Sequence, residues 1–247
     1  MQHKLTEILL RNRIAGTLIV DLPADAVPQT AEDAYRVQNE TVAALGPVGA
    51  WKVQPMPETG VPYASPILAR TVLDDGVTLR AADFPSLGIE VEVAVTLSRD
   101  LPLQDQAYTA ADLRSAIGSF HIALELLASR FIDRSKVPQL TGIADLQHSG
   151  AIVLGAPVAF ETLPEFGNQP MSLNMDDVAV SSTSGNASTA NMMAALAWLA
   201  NHASARGLHL KAGDVVITGA RLGPVPLGGS KVRAHAEGLG SVSVIFP

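Results

Sequence analysis

The stretch Gly88-Ile89-Glu90-Val91-Glu92-Val93-Ala94-Val95 constrains this chain more than any other. Its alternation predicts a β-strand in which Glu90 and Glu92 share one face while Ile89, Val91 and Val93 share the other. Val93 to Leu97 is mostly apolar, so the strand runs into a core. Two neighbouring carboxylates on one face of such a strand repel each other and lose hydration. They take up a proton or bind a cation. The competing reading is a strand with one solvated face. If a cation is held, oxygen-only ligation favours Mg²⁺ or Mn²⁺ over zinc.

A third acid stands alone in the apolar run His121-Ile122-Ala123-Leu124-Glu125-Leu126-Leu127. Burying Glu125 is costly unless it is paired or metal-bound. Arg130 and Arg134 are the basic residues nearest in sequence, and an exposed place on a short strand is the other option. Lys52, in Gly49-Ala50-Trp51-Lys52-Val53, sits in a short apolar strand. It is either a partly desolvated acid/base or carboxylate anchor, or a surface lysine whose stem covers Trp51. Gly213 to Ala220 reads as a strand entering a glycine turn, where the Thr218 hydroxyl and the backbone N–H at Gly219 can meet a carboxylate. Gly228-Gly229-Ser230 and Gly238-Leu239-Gly240 read as hairpin turns. The six histidines show no metal-binding spacing. His121 and His148 lie near the candidate acids. There is no Walker, Rossmann or Gly-x-Ser-x-Gly pattern.

Composition narrows the partners. Net charge is -7 with no Lys/Arg cluster, which argues against nucleic acid. An acidic protein handling an anionic substrate needs a local positive centre, a Lys, an Arg or a metal ion. No apolar run approaches the roughly 18–20 residues of a membrane span, although mean hydropathy is +0.24. Met1 to Arg13 carries Lys4, Glu7, Arg11 and Arg13 and reads as an amphipathic helix, not a signal peptide. Absence of cysteine excludes disulfides, thiolate zinc sites and a cysteine nucleophile. A cytoplasmic enzyme is the simplest expectation.

Hydrophobic patterning predicts a helix over Thr6–Ala15 and a second opened by an N-cap at Thr30, with Asp33 in the capping-box position and a stop at Gly46-Pro47. Strand signals continue at Ala50–Val53, Val77–Leu79, Ile89–Leu97, Ala151–Leu154, Val178–Ser181, Val215–Thr218 and Ser241–Phe246. Helices are expected at Thr109–Ile117 and Ala187–Ala205. The expected fold is α+β: an N-terminal helical part, residues 1–48, leading into a mixed β-rich core, residues 49–247, as one functional domain. The strand-rich body, with the apolar Ala/Met/Leu helix from Ala187 to Ala205, is expected to bury part of its surface against another copy in a homo-oligomer.

The order of these motifs resembles that of the 2-keto-4-pentenoate hydratases of the fumarylacetoacetate hydrolase superfamily. The resemblance rests on Ala34-Tyr35-Arg36-Val37-Gln38, Ala50-Trp51-Lys52, the Glu-x-Glu strand, Glu125 before Ser129-Arg130, Ala144-Asp145, Ser149-Gly150, Leu154-Gly155, Ala197 to Asn201, Leu210 to Asp214 and Gly238 to Val244. It implies a mixed β-rich roll, usually oligomeric, holding a divalent ion on Glu90, Glu92 and Glu125, with Lys52 as the active-site lysine. Asp145, Thr218 and Gly219 are expected at the substrate. The implied reaction is hydration of a 2-hydroxy-2,4-dienoate, or its 2-oxo tautomer, in aromatic-compound catabolism. Its rivals are decarboxylation of a 2-oxo-3-enedioate and C–C hydrolysis of an acylpyruvate. An inactive subunit paired with a pathway enzyme is the reading of another class. Three segments depart from the family: Val53-Gln54-Pro55-Met56-Pro57 after the lysine, Leu146 after Ala144-Asp145, and Ala190-Asn191-Met192 before the Trp198 helix.

Overall fold

The Glu-x-Glu segment becomes the middle strand of a seven-stranded sheet. The computed structural model describes residues 2–247, so the expected helix position at Met1 lies outside the described residues. The strands are β1 (Val48–Val53), β2 (Ala64–Leu68), β3 (Val72–Asp74), β4 (Val77–Thr78), β5 (Gly88–Leu97), β6 (Ile117–Leu127), β7 (Ser149–Leu154), β8 (Met171–Met175), β9 (Val178–Thr183), β10 (Val215–Pro226), β11 (Lys231–Ala236) and β12 (Gly240–Ile245). The larger sheet runs β2-β1-β10-β5-β6-β7-β3, and a five-stranded sheet runs β4-β12-β11-β8-β9. Parallel pairs, such as β1 with β10, are mixed among antiparallel ones. The apolar faces of β5, β6, β11 and β12 meet in the main core, which includes Ile89, Val91, Leu124, Leu126, Val232 and Val244.

Five α-helices complete the fold: α1 (Lys4–Ala15), α2 (Ala31–Leu45), α3 (Ala110–Arg114), α4 (Gln139–Ala144) and α5 (Thr189–Ala205). Thr30 and Asp33 form a full capping box on α2, with Asp33 replacing the usual Glu. The expected helix from Thr109 ends at Arg114 because Ile117 already pairs with Leu97 across β5 and β6. The apolar face of α5 is buried within this chain: Met192, Leu196, Leu199, Ala200 and Ala203 belong to the main core. That face is therefore not available to another copy.

The N-terminal helices have a small core of their own. Leu5, Leu9, Ala34 and Val37 pack there with Phe131, Ile143 and Ala144. Buried Gln38 ties the unit together. Its Nε2 lies 2.7 Å from the Ile143 carbonyl, 2.7 Å from Ser65 Oγ and 3.1 Å from the Ala64 carbonyl. No helix of the described residues is long and apolar enough to cross a membrane.

Candidate active site: a carboxylate cluster and its lysine

Alternation on three strands assembles the site. On β5, Glu90 and Glu92 point away from the main core. On β6, Glu125 lies opposite Glu90 in register. On β1, Trp51 and Val53 enter the main core, so Lys52 projects from the other face. On the same face of the sheet, beside the charged groups, Ala50, Ala94, Ala123 and Ile217 belong to a small apolar cluster.

One oxygen from each of Glu90, Glu92 and Glu125 falls within 4.8 Å of the others. Glu125 has no exposed surface, and both of its oxygens accept from Lys52 Nζ at 2.7 Å. Neither Arg130 nor Arg134 is its partner. Lys52 also reaches the Gln147 carbonyl at 3.4 Å. Glu92 is 1% exposed and accepts from the Gly219 N–H at 2.6 Å. Gly219 stands at a bulge in β10 with φ +98°, and a Cβ there would sit 2.5 Å from Pro55 Cδ, so glycine is needed on both counts.

Burial, then repulsion from Glu125, pushes the Glu90 carboxyl up to about 7, and burial with both neighbouring carboxylates raises Glu92 well above the ordinary range. Burial alone would lower Lys52. Its attraction to Glu125, Glu90 and Glu92 outweighs that, so it is raised and stays an ammonium. Three acids, all oxygen donors, converging on one point against a single bonded ammonium fit a hard divalent cation. The raised Glu90 has a measurable consequence for the metal-free protein. Its folded value lies above the ordinary value of 4.5, so its stabilising contribution is full below about pH 4.5 and is lost as pH rises through about 7. Denaturant midpoints in EDTA should fall between about pH 5 and about pH 8. Glu90→Gln should flatten that slope, and an unchanged slope in the variant would remove Glu90 as its source.

A cavity of about 450 Å³ opens over this face. Lys52, Glu90, Glu92 and Gly219 line it, together with Gln147 and His148 from the turn that follows α4. Asp145 and Thr218 do not line it. Asp145 is fully buried, bonded to Arg13 at 2.9 Å and to the Arg130 N–H at 3.0 Å, with His148 Nδ1 3.4 Å away. Arg130, His148 and Arg13 overcome the effect of burial and hold its carboxyl below the usual range. Thr218 is 1% exposed and donates to the Val93 carbonyl. His121 bonds Thr96 and the Gly155 carbonyl within the sheet, away from the cavity lining.

The departures noted in the sequence build the cavity's edges. Leu146, Gln147 and His148 are consecutive left-handed residues, with φ of 54°, 50° and 59°. Such residues cost about 1–2 kcal/mol each. Asp145 anchors one end of the turn, and the His148 carbonyl accepts from Ala128 N–H at 2.7 Å at the other. After Lys52, the loop is held by Asn191 of α5, whose side chain accepts from the Met56 N–H and donates to the Met56 carbonyl, both at 2.9 Å. Sequence reasoning missed this pairing, because nothing local links positions 56 and 191.

Comparison with known proteins gives the family of the chain. The fumarylacetoacetate (FAA) hydrolase C-terminal family matches residues 33–244. The chain belongs to the fumarylacetoacetate hydrolase family. Among its relatives in that family is a 2-keto-4-pentenoate hydratase from Burkholderia vietnamiensis, 32% identical over 90% of this chain and 85% of the relative. Another is the TodF product hydratase of Pseudomonas putida, 34% identical over 77% of this chain and 68% of the relative. A 4-oxalocrotonate decarboxylase from Pseudomonas putida, solved with magnesium and adipate, superposes with a TM-score of 0.84 over 98% of this chain and 96% of that one. Its 22% identity makes this a likeness of fold.

Proposed function

We propose that this chain is a hydratase that converts a 2-hydroxy-2,4-dienoate, through its 2-oxo tautomer, into a 4-hydroxy-2-oxo acid. The observation that carries the reading is the convergence of Glu90, Glu92 and Glu125 with Lys52, three of which (Lys52, Glu90 and Glu92) line one cavity with Glu125 buried behind them, in a chain 32% identical to a named hydratase over 90% of its length. Glu90, Glu92 and Glu125 would hold the cation, Mg²⁺ or Mn²⁺. When bound, such an ion supplies Lewis acidity to the C2 oxygen of a chelating 2-oxo acid.

The chain's own residues supply the rest. Lys52, held as an ammonium, is a donor and not a base. Its Nζ offers a proton in a hydrogen bond to the C2 oxygen as negative charge builds there. The apolar flank of Leu127, Val137 and Ile143 excludes water from the carbon chain. Gln54, Gln139, Gln147 and His148 are the uncharged polar side chains of the lining that could hold the attacking water. A proton to C5 of the dienol gives the conjugated 2-oxo-3-enoate. Oxygen then adds at C4 and a proton at C3, for a net gain of one water. Self-association belongs to the same reading, with edge strand β9 as its surface, since Val178 is 64% and Val180 is 42% exposed there.

The purified chain with Mg²⁺ should bleach the dienol ultraviolet band of 2-hydroxypenta-2,4-dienoate and yield the 4-hydroxy-2-oxo acid. Carbon dioxide release from an enedioate alone, or cleavage of an acylpyruvate alone, would replace hydration with decarboxylation or hydrolysis. Metal-stimulated turnover by the isolated chain would exclude an inactive partner subunit.

A further inference from the structure

Away from the catalytic cavity, a second cavity of about 580 Å³ lies where α2 and the last turns of α5 meet the loop after β1. That volume is within the range of roughly 300–1,000 Å³ usual for small-molecule sites. Its walls are rings. Tyr35 comes from α2, Trp198 and His202 from α5, and Tyr63 from the loop, and each is only half-buried. His202 stacks on Trp198 at 4.5 Å, with 12° between the planes, and packs on Tyr35 at 4.3 Å. The two cavities share no residue, but one loop edges both. It gives Gln54 and Pro55 to the catalytic cavity and Val61 and Tyr63 to this one, and the Gln54 N–H donates to the Tyr63 carbonyl at 3.0 Å.

Hydrogen bonding sets what this cavity offers. Arg206 sits over the Tyr35 ring, 4.6 Å from its centroid, and donates to Asn39, to Gln38 Oε1 and to the Tyr35 carbonyl. Its Nη1 lies 3.3 Å from His202 Nε2. A guanidinium has donors only, so Nε2 accepts and the proton of a neutral imidazole sits on Nδ1. Burial, then Arg206, lowers His202 to about 4, so the ring is neutral at physiological pH. His202 Nδ1–H and Trp198 Nε1–H bond to nothing among the described residues, and neither nitrogen is sealed from solvent. Two donors beside aromatic faces suit an oxygen acceptor carried on a flat ring. The charges of the lining cancel, Glu32 and Glu40 against Arg36 and Arg206. Arg206 is occupied by its own bonds, Arg36 pairs with Asp33 at 3.3 Å, and Glu40 accepts from the His3 N–H at 3.0 Å. An uncharged ligand fits this balance better than an ion.

We infer that this cavity is a second small-molecule site, one that takes an uncharged, planar aromatic compound bearing a carbonyl oxygen, with His202 and Trp198 as donors to that oxygen. The inference goes beyond the proposed hydration and does not depend on it.

Three probes of similar size separate the two features. Acetophenone has both the ring and the oxygen. Ethylbenzene keeps the ring without the oxygen, and cyclohexyl methyl ketone keeps the oxygen without the flat ring. Calorimetry of the full chain should show acetophenone binding about tenfold more tightly than either of the others, the usual worth of one satisfied contact. His202→Phe and Trp198→Phe keep the ring walls and each delete one donor. Each should reduce the preference for acetophenone over ethylbenzene several-fold without weakening ethylbenzene, whereas Trp198→Ala should weaken both aromatic probes. Equal affinity for the two ketones overturns recognition of the ring, and equal affinity for acetophenone and ethylbenzene overturns the oxygen contact. A preference that survives in both Phe variants overturns the assignment of the donors. If the wild type binds no probe, the site is overturned outright, and a mass by light scattering that falls in Trp198→Ala would then make the cavity an interface between copies.

Discussion

Lys52→Met will destabilise the metal-free protein by about 3–5 kcal/mol, the usual cost of stripping a buried carboxylate of its partner. Glu125 has no exposed surface and takes both of its charged hydrogen bonds from Lys52. Met preserves the volume of the stem but leaves that charge alone or forces it to take up a proton. Added Mg²⁺ should close much of the gap in melting temperature, because a cation on the three acids neutralises Glu125 by another route. Turnover should not recover in the same way. One oriented charge at a developing oxyanion is worth about 3–4 kcal/mol, or roughly two to three orders of magnitude in rate. Thermal melts with and without Mg²⁺, alongside steady-state assays, separate the two effects. A variant that melts like wild type in EDTA and turns over at a near-normal kcat would assign Lys52 to neither role.

The second large effect concerns Glu92. Glu92→Gln keeps an oxygen to accept from the Gly219 N–H and keeps the size of the side chain, but removes a formal charge from the cluster. Divalent metal affinity should fall by more than the roughly 10–100-fold that accompanies loss of an outer partner to a ligand. The metal-free protein should become more stable at neutral pH, because burial and both neighbouring carboxylates disfavour the charged form of Glu92. Glu90→Gln should act in the same direction. Titration calorimetry against Mg²⁺ and Mn²⁺ checks the first claim, and denaturation in EDTA checks the second. Unchanged metal affinity in both variants would refute the ligand assignment.

Much of the site was legible because a strand has a period of two residues. Glu90, Glu92 and the outward turn of Lys52 emerge from alternation once the apolar positions are assigned to a core. Glu125 was harder to read. It interrupts an apolar run that carries no polar alternation, because β6 is buried for most of its length. Only the sheet order, which sets β1 on the same sheet face within reach of β6 across β10 and β5, lets Lys52 and not an arginine nearby in the chain become its partner. β11 escaped notice for a simpler reason. In β11 the buried positions are Val232, Ala234 and Ala236, and small alanines barely register as a hydrophobic face. Asp145, Thr218 and Arg134 show the limit more sharply. The family resemblance offered Asp145 a substrate, and local sequence offered Thr218 a carboxylate and set Arg134 near Glu125 in the chain. The partners they have, Arg13 for Asp145, the Val93 carbonyl for Thr218 and the gap over Gly88 for Arg134, come from distant parts of the chain.

The grip of Asn191 on Met56 bears on how such a cavity diversifies. Asn191 contacts only the main chain at position 56, through its N–H and its carbonyl. Every amino acid presents those two groups except proline, which lacks the N–H. The exposed Gln54, which lines the cavity, can therefore change by single substitution without releasing the loop from α5, so the cavity rim alters while the acids and lysine below stay in place. A lineage can explore new substrates here in small steps, provided Asn191 is kept and no proline arises at 56.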